Sequence, residues 1–294
     1  MSAPGKATTP CREFFYTSQD GLRLFAKDYG ARGGAHPPVI CLPGLTRNSK
    51  DFDALALRLA TTRRVLCPDF RGRGKSQYCE SWSEYTPQNE MLDTFDLMGA
   101  AGIHQAVFIG TSRGGIVTML MAAQRPNAVR GAVLNDIGPE VEIDGLKRIA
   151  GYAGVMEAPA SWTEAAFKLR MMNERDFPTL TGDDWYEQAR RTFAEENGLP
   201  KIDYDSKIGV AMRKGLEAAN GALPAMWPQF KALGHVPVLT IRGENSDILS
   251  AETVKRMEQH HSNFASVTVK DRGHVPFLDE PEALSALDRF FEQC

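Results

Sequence analysis

Short, wholly apolar runs recur along the chain, each closed by glycine, proline or a small polar residue. Val39-Ile40-Cys41-Leu42, Val107-Phe108-Ile109, Ala132-Val133-Leu134 and Val238-Leu239-Thr240-Ile241 are of this kind. They are too short for helices and rich in β-branched residues, as strands buried on both faces are. Helical patterns follow the first, second and fourth of them, over 51–60, 116–124 and 252–260. The alternation runs from 38 to 136 and resumes from 237 to the C-terminus, which predicts an α/β fold: a mostly parallel sheet with helices on both faces. The segments 13–17 and 22–26, separated by Ser18-Gln19-Asp20-Gly21, predict an antiparallel hairpin at one sheet edge. Residues 265–270 alternate like a half-buried strand.

From about 140 to 223 the strand pattern gives way to helical periodicity, over 146–156, 162–172, 185–195 and 208–219. The expected organisation is therefore a core of 1–139 and 224–294, with 140–223 inserted as a helical cap over the rim where the strands end. Trp162, Phe167, Met171, Met172, Trp185, Tyr186 and Met212 are the large apolar side chains it offers to a pocket, with Trp162 and Trp185 taken as substrate-binding candidates. At helical spacing such residues equally serve as core.

Chemistry enters at Gly110-Thr111-Ser112-Arg113-Gly114, between an apolar strand and a helical stretch. G-x-S-x-G alone is weak, but in this setting it predicts a strained strand-to-helix turn that lifts the serine Oγ above the sheet edge. A parallel sheet gathers its strand C-termini on one rim, where two further loops are informative. Gly243-Glu244-Asn245-Ser246-Asp247 offers a carboxylate, and Asp271-Arg272-Gly273-His274 offers an imidazole. A neutral serine hydroxyl is a poor nucleophile, so His274 is assigned as the base and Asp247 as the acid that orients it. Asp136, ending the strand 131–135, stands on the same rim and is the competing acid. The other five histidines lack a strand-Gly-His setting and read as surface or packing residues.

Pro43-Gly44-Leu45-Thr46-Arg47 breaks the strand 38–42, and a turn there can aim a backbone N–H at the site. The amides of Leu45 and Arg113 are the expected oxyanion donors. Two guanidiniums on this rim, Arg47 and Arg113, are candidates for binding a substrate carboxylate, with Lys75 nearby; a salt bridge from Arg113 to a cap carboxylate or to Asp136 is the alternative.

Together with Leu42-Pro43-Gly44-Leu45, Asp69-Phe70-Arg71-Gly72-Arg73-Gly74-Lys75-Ser76 and Gly273-His274-Val275-Pro276-Phe277, these motifs make the chain resemble the alpha/beta-hydrolase superfamily throughout except in its middle. The resemblance implies an esterase-like or epoxide-hydrolase-like branch, in which Asp247 and His274 match the family's acid and base. Pro43 stands where many members carry histidine. Epoxide hydrolases and haloalkane dehalogenases of this appearance use aspartate at the elbow, so Ser112 points away from both. The serine members include carboxylesterases, lactonases, thioesterases, amide hydrolases and carbon–carbon hydrolases; in the last a tryptophan usually follows the histidine closely, whereas Val275-Pro276-Phe277 stands here. The expected activity is cleavage of a small carboxylic ester or lactone through an acyl-enzyme. An amide or carbon–carbon hydrolase of an acidic ring-cleavage product is the alternative, and a ligand receptor that turns over negligibly is the rival from another class.

The 294 residues are 43% hydrophobic with a net charge of −3 and interspersed signs, so no basic face marks a nucleic-acid or anionic-membrane partner. A small-molecule substrate and a monomer or small homo-oligomer are expected. The 1–10 stretch lacks a leader pattern and no run is long and apolar enough for a membrane span, from which a cytoplasmic protein is expected. The five cysteines are irregularly spaced and imply neither a disulfide framework nor a zinc site. Gly72-Arg73-Gly74-Lys75-Ser76 lacks the spacing of a phosphate loop, so no nucleotide cofactor is implied.

Overall fold

The computed structural model describes residues 11–220 and 223–294; the 1–10 stretch on which the leader reading rested lies outside them. Strands β1 (Cys11–Thr17) and β2 (Arg23–Tyr29) form the expected hairpin, longer than the pattern suggested, in register from Cys11 opposite Tyr29 to Thr17 opposite Arg23. The chain continues through β3 (Val39–Leu42), α1 (Asp53–Leu59), β4 (Val65–Asp69), α2 (Pro87–Ala101), β5 (Ala106–Thr111), α3 (Arg113–Gln124) and β6 (Val129–Asn135). After an insertion it resumes with α8 (Trp227–Lys231), β9 (Val238–Gly243), α9 (Ala251–His260), β10 (Phe264–Val269) and α10 (Pro281–Phe291). The insertion contributes α4 (Ile143–Tyr152), α5 (Trp162–Asn173), α6 (Gly182–Thr192), β7 (Ala194–Glu196), β8 (Leu199–Lys201) and α7 (Lys207–Ala218).

The sheet order is β1-β2-β4-β3-β5-β6-β9-β10, antiparallel at β1, β2 and β4 and parallel from there on. Every residue of β3, β4 and β5 is buried because both faces are covered, which is why Val39–Leu42, Val65–Cys67 and Ala106–Ile109 are apolar without interruption. Alternate side chains divide between two cores. Ile40, Leu42 and Phe108 pack with Phe95, Val117 and Met121 of α2 and α3, whereas Val39, Cys41 and Ile109 pack with Leu55, Leu287 and Phe290 of α1 and α10. Each such large side chain contributes about 1.5–3 kcal/mol by leaving water. The strand order reverses between β3 and β5, and a crevice opens above their C-terminal ends, where open α/β sheets take their ligands.

The segment between β6 and α8 corrects two expected bounds: its first helix, expected over 146–156, is α4 at Ile143–Tyr152. The third helix was expected over 185–195 but spans Gly182–Thr192, fixed at its start by a capping box between Thr181 and Asp184. The chain then turns through Asn197 and Gly198, both at positive φ, into an antiparallel pair of β7 and β8. Asn-Gly is the favoured two-residue hairpin turn, so a strand signal was present inside the helical stretch. Among the described residues no helix is long and apolar enough to cross a membrane.

Candidate active site

Ser112 sits between β5 and α3 with φ 49° and ψ −109°. Its N–H donates to the Asn135 carbonyl at 2.9 Å, and its own carbonyl accepts from the Gly115 N–H at 2.9 Å, so the turn is held on both sides. The glycines around it are sterically required. A Cβ at Gly110 would collide with the backbone of Gly114, one at Gly114 with the Leu42 carbonyl, and one at Gly115 with the Ile137 side chain. The strained turn is therefore bought by neighbours that have no side chain to lose.

His274 follows β10, with its side chain only 7% exposed. Its Nε2 lies 2.8 Å from Ser112 Oγ and its Nδ1 lies 2.7 Å from Asp136 Oδ2. An ionised carboxylate only accepts, so Nδ1 carries the proton and donates to Asp136; Nε2 is left free to accept from the serine hydroxyl.

Asp247, the acid expected from the sequence, is not the partner of His274. Asp136 takes that position, and the reason lies in how β6, β9 and the histidine loop meet. Asp136 has φ 54° directly after β6, and its N–H donates to the Ile241 carbonyl of β9. This turn directs its carboxylate to the end of β9, where Oδ1 accepts from the Gly243 N–H at 2.8 Å and Oδ2 from Ser246 Oγ at 2.6 Å. The carbonyls of Arg272 and Gly273 lie where a Cβ on Gly243 would stand, so the absence of that atom lets the histidine loop close down on Asp136. Ser246 faces inward, also accepting from the N–H groups of Ile248 and Leu249, and the next side chain is turned away. Asp247 instead receives a two-pronged pair from Arg148 of α4 at 2.6 and 2.8 Å. Partial burial works against its charge, but Arg148 outweighs it and holds the Asp247 carboxyl below the usual carboxylate range.

A cavity of about 190 Å³ above the serine is lined by Leu45, Ser112 and His274 from the core and by Met172, Trp185 and Phe193 from the inserted segment. Leu45 N–H has no hydrogen-bond partner among the described residues. Arg113 N–H is the first of α3, where helical N–H groups lack an intrahelical acceptor.

The two guanidinium candidates are already engaged. Arg113 turns away from the cavity to Glu90 of α2, with Nε 2.5 Å from Oε2, so its partner is neither a cap carboxylate nor Asp136. Arg47 lines the cavity but is held by both oxygens of Asp51 and by Thr192. Lys75 pairs with Glu13 outside it. Trp185 and Met172 are in the cavity wall, but Trp162 is not: it packs within the inserted segment and donates to the Gly198 carbonyl at 3.0 Å. Phe167, Met171 and Tyr186 are exposed, and Met212 packs on the main core. Arg191 is a wall residue that the sequence did not single out. It meets Asp279 only at 3.4 Å, and no composition or motif signal distinguishes it from other helical arginines.

A strained serine above a parallel sheet, a histidine within hydrogen-bond reach and a buried aspartate behind it stand together at the crevice. The chain belongs to the alpha/beta hydrolase family, whose model matches residues 39–287. Among its relatives, a 3-hydroxybutyrate-oligomer hydrolase from Cupriavidus necator is 32% identical over 263 residues, covering 87% of this chain and 89% of the relative. A 2-(acetamidomethylene)succinate hydrolase from Mesorhizobium japonicum is 24% identical across 88% of this chain and 89% of that one. Among solved structures, an alpha/beta hydrolase from Novosphingobium aromaticivorans superimposes with a TM-score of 0.89 at 43% identity, covering 99% of this chain and 100% of the other.

Proposed function

We propose that the protein is a serine hydrolase of short carboxylic esters, with oligomers of hydroxyalkanoic acids as its leading substrate class. The observation that carries this reading is the unbroken hydrogen-bond line from Ser112 Oγ through His274 to Asp136. Ser112 Oγ attacks the acyl carbonyl while its proton passes to His274 Nε2, and Asp136 stabilises the imidazolium. The carbonyl oxygen, now anionic, is held by the N–H groups of Leu45 and Arg113. Collapse of the tetrahedral adduct breaks the ester C–O bond, and His274 returns the proton to the departing alcohol. Water, deprotonated in turn by His274, cleaves the acyl-enzyme to release the acid and Ser112.

The substrate class is supported by the similarity to the oligomer hydrolase and by the make-up of the cavity wall. Leu169, Phe177 and Trp185 offer apolar contact for a short alkyl chain, and Asn173 and Gln188 offer polar contact. A hydroxyacid oligomer ends in a carboxylate, and Arg191 is the wall guanidinium whose own ion pair is long and half exposed.

Hydrolysis of 3-hydroxybutyrate dimer and trimer, p-nitrophenyl esters of two to twelve carbons, lactones and acidic amides by wild type and Ser112→Ala tests this reading. Ser112-dependent release of 3-hydroxybutyrate is expected, with Arg191→Met raising KM for the dimer about tenfold. Turnover confined to acidic amides would replace the ester assignment, and full activity in Ser112→Ala would end it.

A further inference from the structure

Behind the cavity floor lies a charge cluster that the triad does not use. Glu90 and Arg73 have no exposed side-chain surface, and Arg113 has little. Glu90 Oε2 takes Arg113 Nε at 2.5 Å, and Glu90 Oε1 faces Arg73 Nη1 at 2.9 Å. Burial alone would push the Glu90 carboxyl up; Arg113 and Arg73 outweigh it and hold it below the ordinary carboxylate range. Two cations on one buried carboxylate are costly to assemble, so their arrangement invites the question of what it holds.

Each arginine leads to one of the two backbone donors proposed for the oxyanion. Arg73 Nε donates to the Leu45 carbonyl at 2.8 Å, and its Nη1 donates to the Arg71 carbonyl at 2.7 Å. This pins the peptide after Leu45. The peptide before it, which carries the Leu45 N–H, is pinned by the Arg47 N–H donating to the Gly44 carbonyl at 3.2 Å. A peptide's N–H and C=O point in opposite directions, so with Gly44 O turned to Arg47 the Leu45 N–H faces the other way. On the second side, Arg113 is anchored through Nε to Glu90 and through Nη2 to the Tyr85 carbonyl at 3.2 Å, fixing the first residue of α3.

Resting on the hydrolase reading above, we infer that Glu90 is a positioning residue that couples the two halves of the oxyanion hole, through Arg73 to Leu45 and through Arg113 to the start of α3. The two donors follow adjacent strands that pair as far as Leu42 opposite Gly110, and the Leu42 carbonyl packs against Gly114; beyond that pairing, the shared buried carboxylate ties together the side chains that hold the two N–H groups converging on one oxygen. Stabilisation of a developing anion depends on donors already in place, so loosening this tie acts on the tetrahedral adduct more than on the bound ground state.

The test uses the full chain with Glu90→Gln, Arg113→Met and Arg113→Lys. It measures kcat and KM on p-nitrophenyl butyrate, affinity for phenylboronic acid, which forms a tetrahedral serine adduct, and inhibition by butyrate, which forms none. Glu90→Gln and Arg113→Met are expected to lower kcat and weaken boronate binding together, by about 10- to 100-fold, a fraction of the loss from deleting a donor outright. KM and butyrate inhibition stay within threefold, and Arg113→Lys recovers most of the loss because it can still meet Glu90. Should Glu90→Gln show no cooperative melt, the Arg113 pair decides by the same criterion. Boronate affinity within threefold of wild type in folded variants, or falling in step with butyrate, overturns the inference alone. A wild type that forms no Ser112-dependent boronate adduct overturns the hydrolase reading and this inference with it.

Discussion

Two aspartates stand at the C-terminal ends of neighbouring parallel strands, Asp136 after β6 and Asp247 after β9, and they do opposite things. Asp136 has no exposed surface and commits both oxygens to Gly243, Ser246 and His274. Asp247 is a third exposed and ties the core to α4 of the inserted segment through Arg148. The difference teaches that strand-end position brings a carboxylate to the rim but does not decide which one meets His274. Selection comes from burial and from donors that compensate it, because a desolvated carboxylate without hydrogen bonds would not stay charged.

The comparison breaks first at Asp136. Asp136→Asn removes the acceptor that sets the His274 tautomer, and kcat is expected to fall about 10⁴-fold, whereas Asp247→Asn stays within about fivefold. Measuring both on one activated ester checks this, and the reverse ranking would return the acid to Asp247. Ser246→Ala leaves Asp136 with one donor fewer and is expected to cost about tenfold in kcat on the same ester. A kcat unchanged from wild type would show that Ser246 only shapes its loop.

Smaller effects should follow from loosening the Asp247–Arg148 tie. Arg148→Met is expected to change KM for bulky esters two- to fivefold with little change in kcat for an acetyl ester, because the pair binds the inserted segment and not the reacting atoms. Equal changes for large and small substrates would argue against a role in access. Smallest is the stability term, under about 1 kcal/mol for a partly exposed pair. Its sign is set by the depressed Asp247 carboxyl: the contribution is present above the ordinary aspartate range and is lost as pH falls through the lower folded value. The gap in Tm between wild type and Asp247→Asn should therefore hold from pH 6 to 8 and begin to narrow as pH falls below about 4. A gap that widens on acidification would mean that the pair is not what separates the two proteins.

Much of this molecule is legible in its sequence. Unbroken apolar runs marked the buried strands, Ser112 boxed by glycines marked the strained turn after β5, and Gly273-His274 after an alternating run marked the histidine that meets Ser112. The helices between β6 and α8 were visible as helical periodicity, although Asn197-Gly198 hid a hairpin among them. These are local properties, since periodicity, turn residues and steric demands on glycine act over a few positions along the chain.

What only the tertiary structure decided depends on contacts between distant segments. Asp136 prevails over Asp247 because β9 packs beside β6 and brings Gly243 and Ser246 to it across more than a hundred residues. Arg113 is withdrawn from the cavity because Glu90, one carboxylate among several in its region of sequence, is the one that α2 buries against it. Arg47 and Trp162 leave the list of free substrate contacts for the same kind of reason, each satisfied by a partner far along the chain or in another element. Sequence pattern determines which side chains reach the rim; three-dimensional packing determines which of them are desolvated, which are paired and which remain free to act.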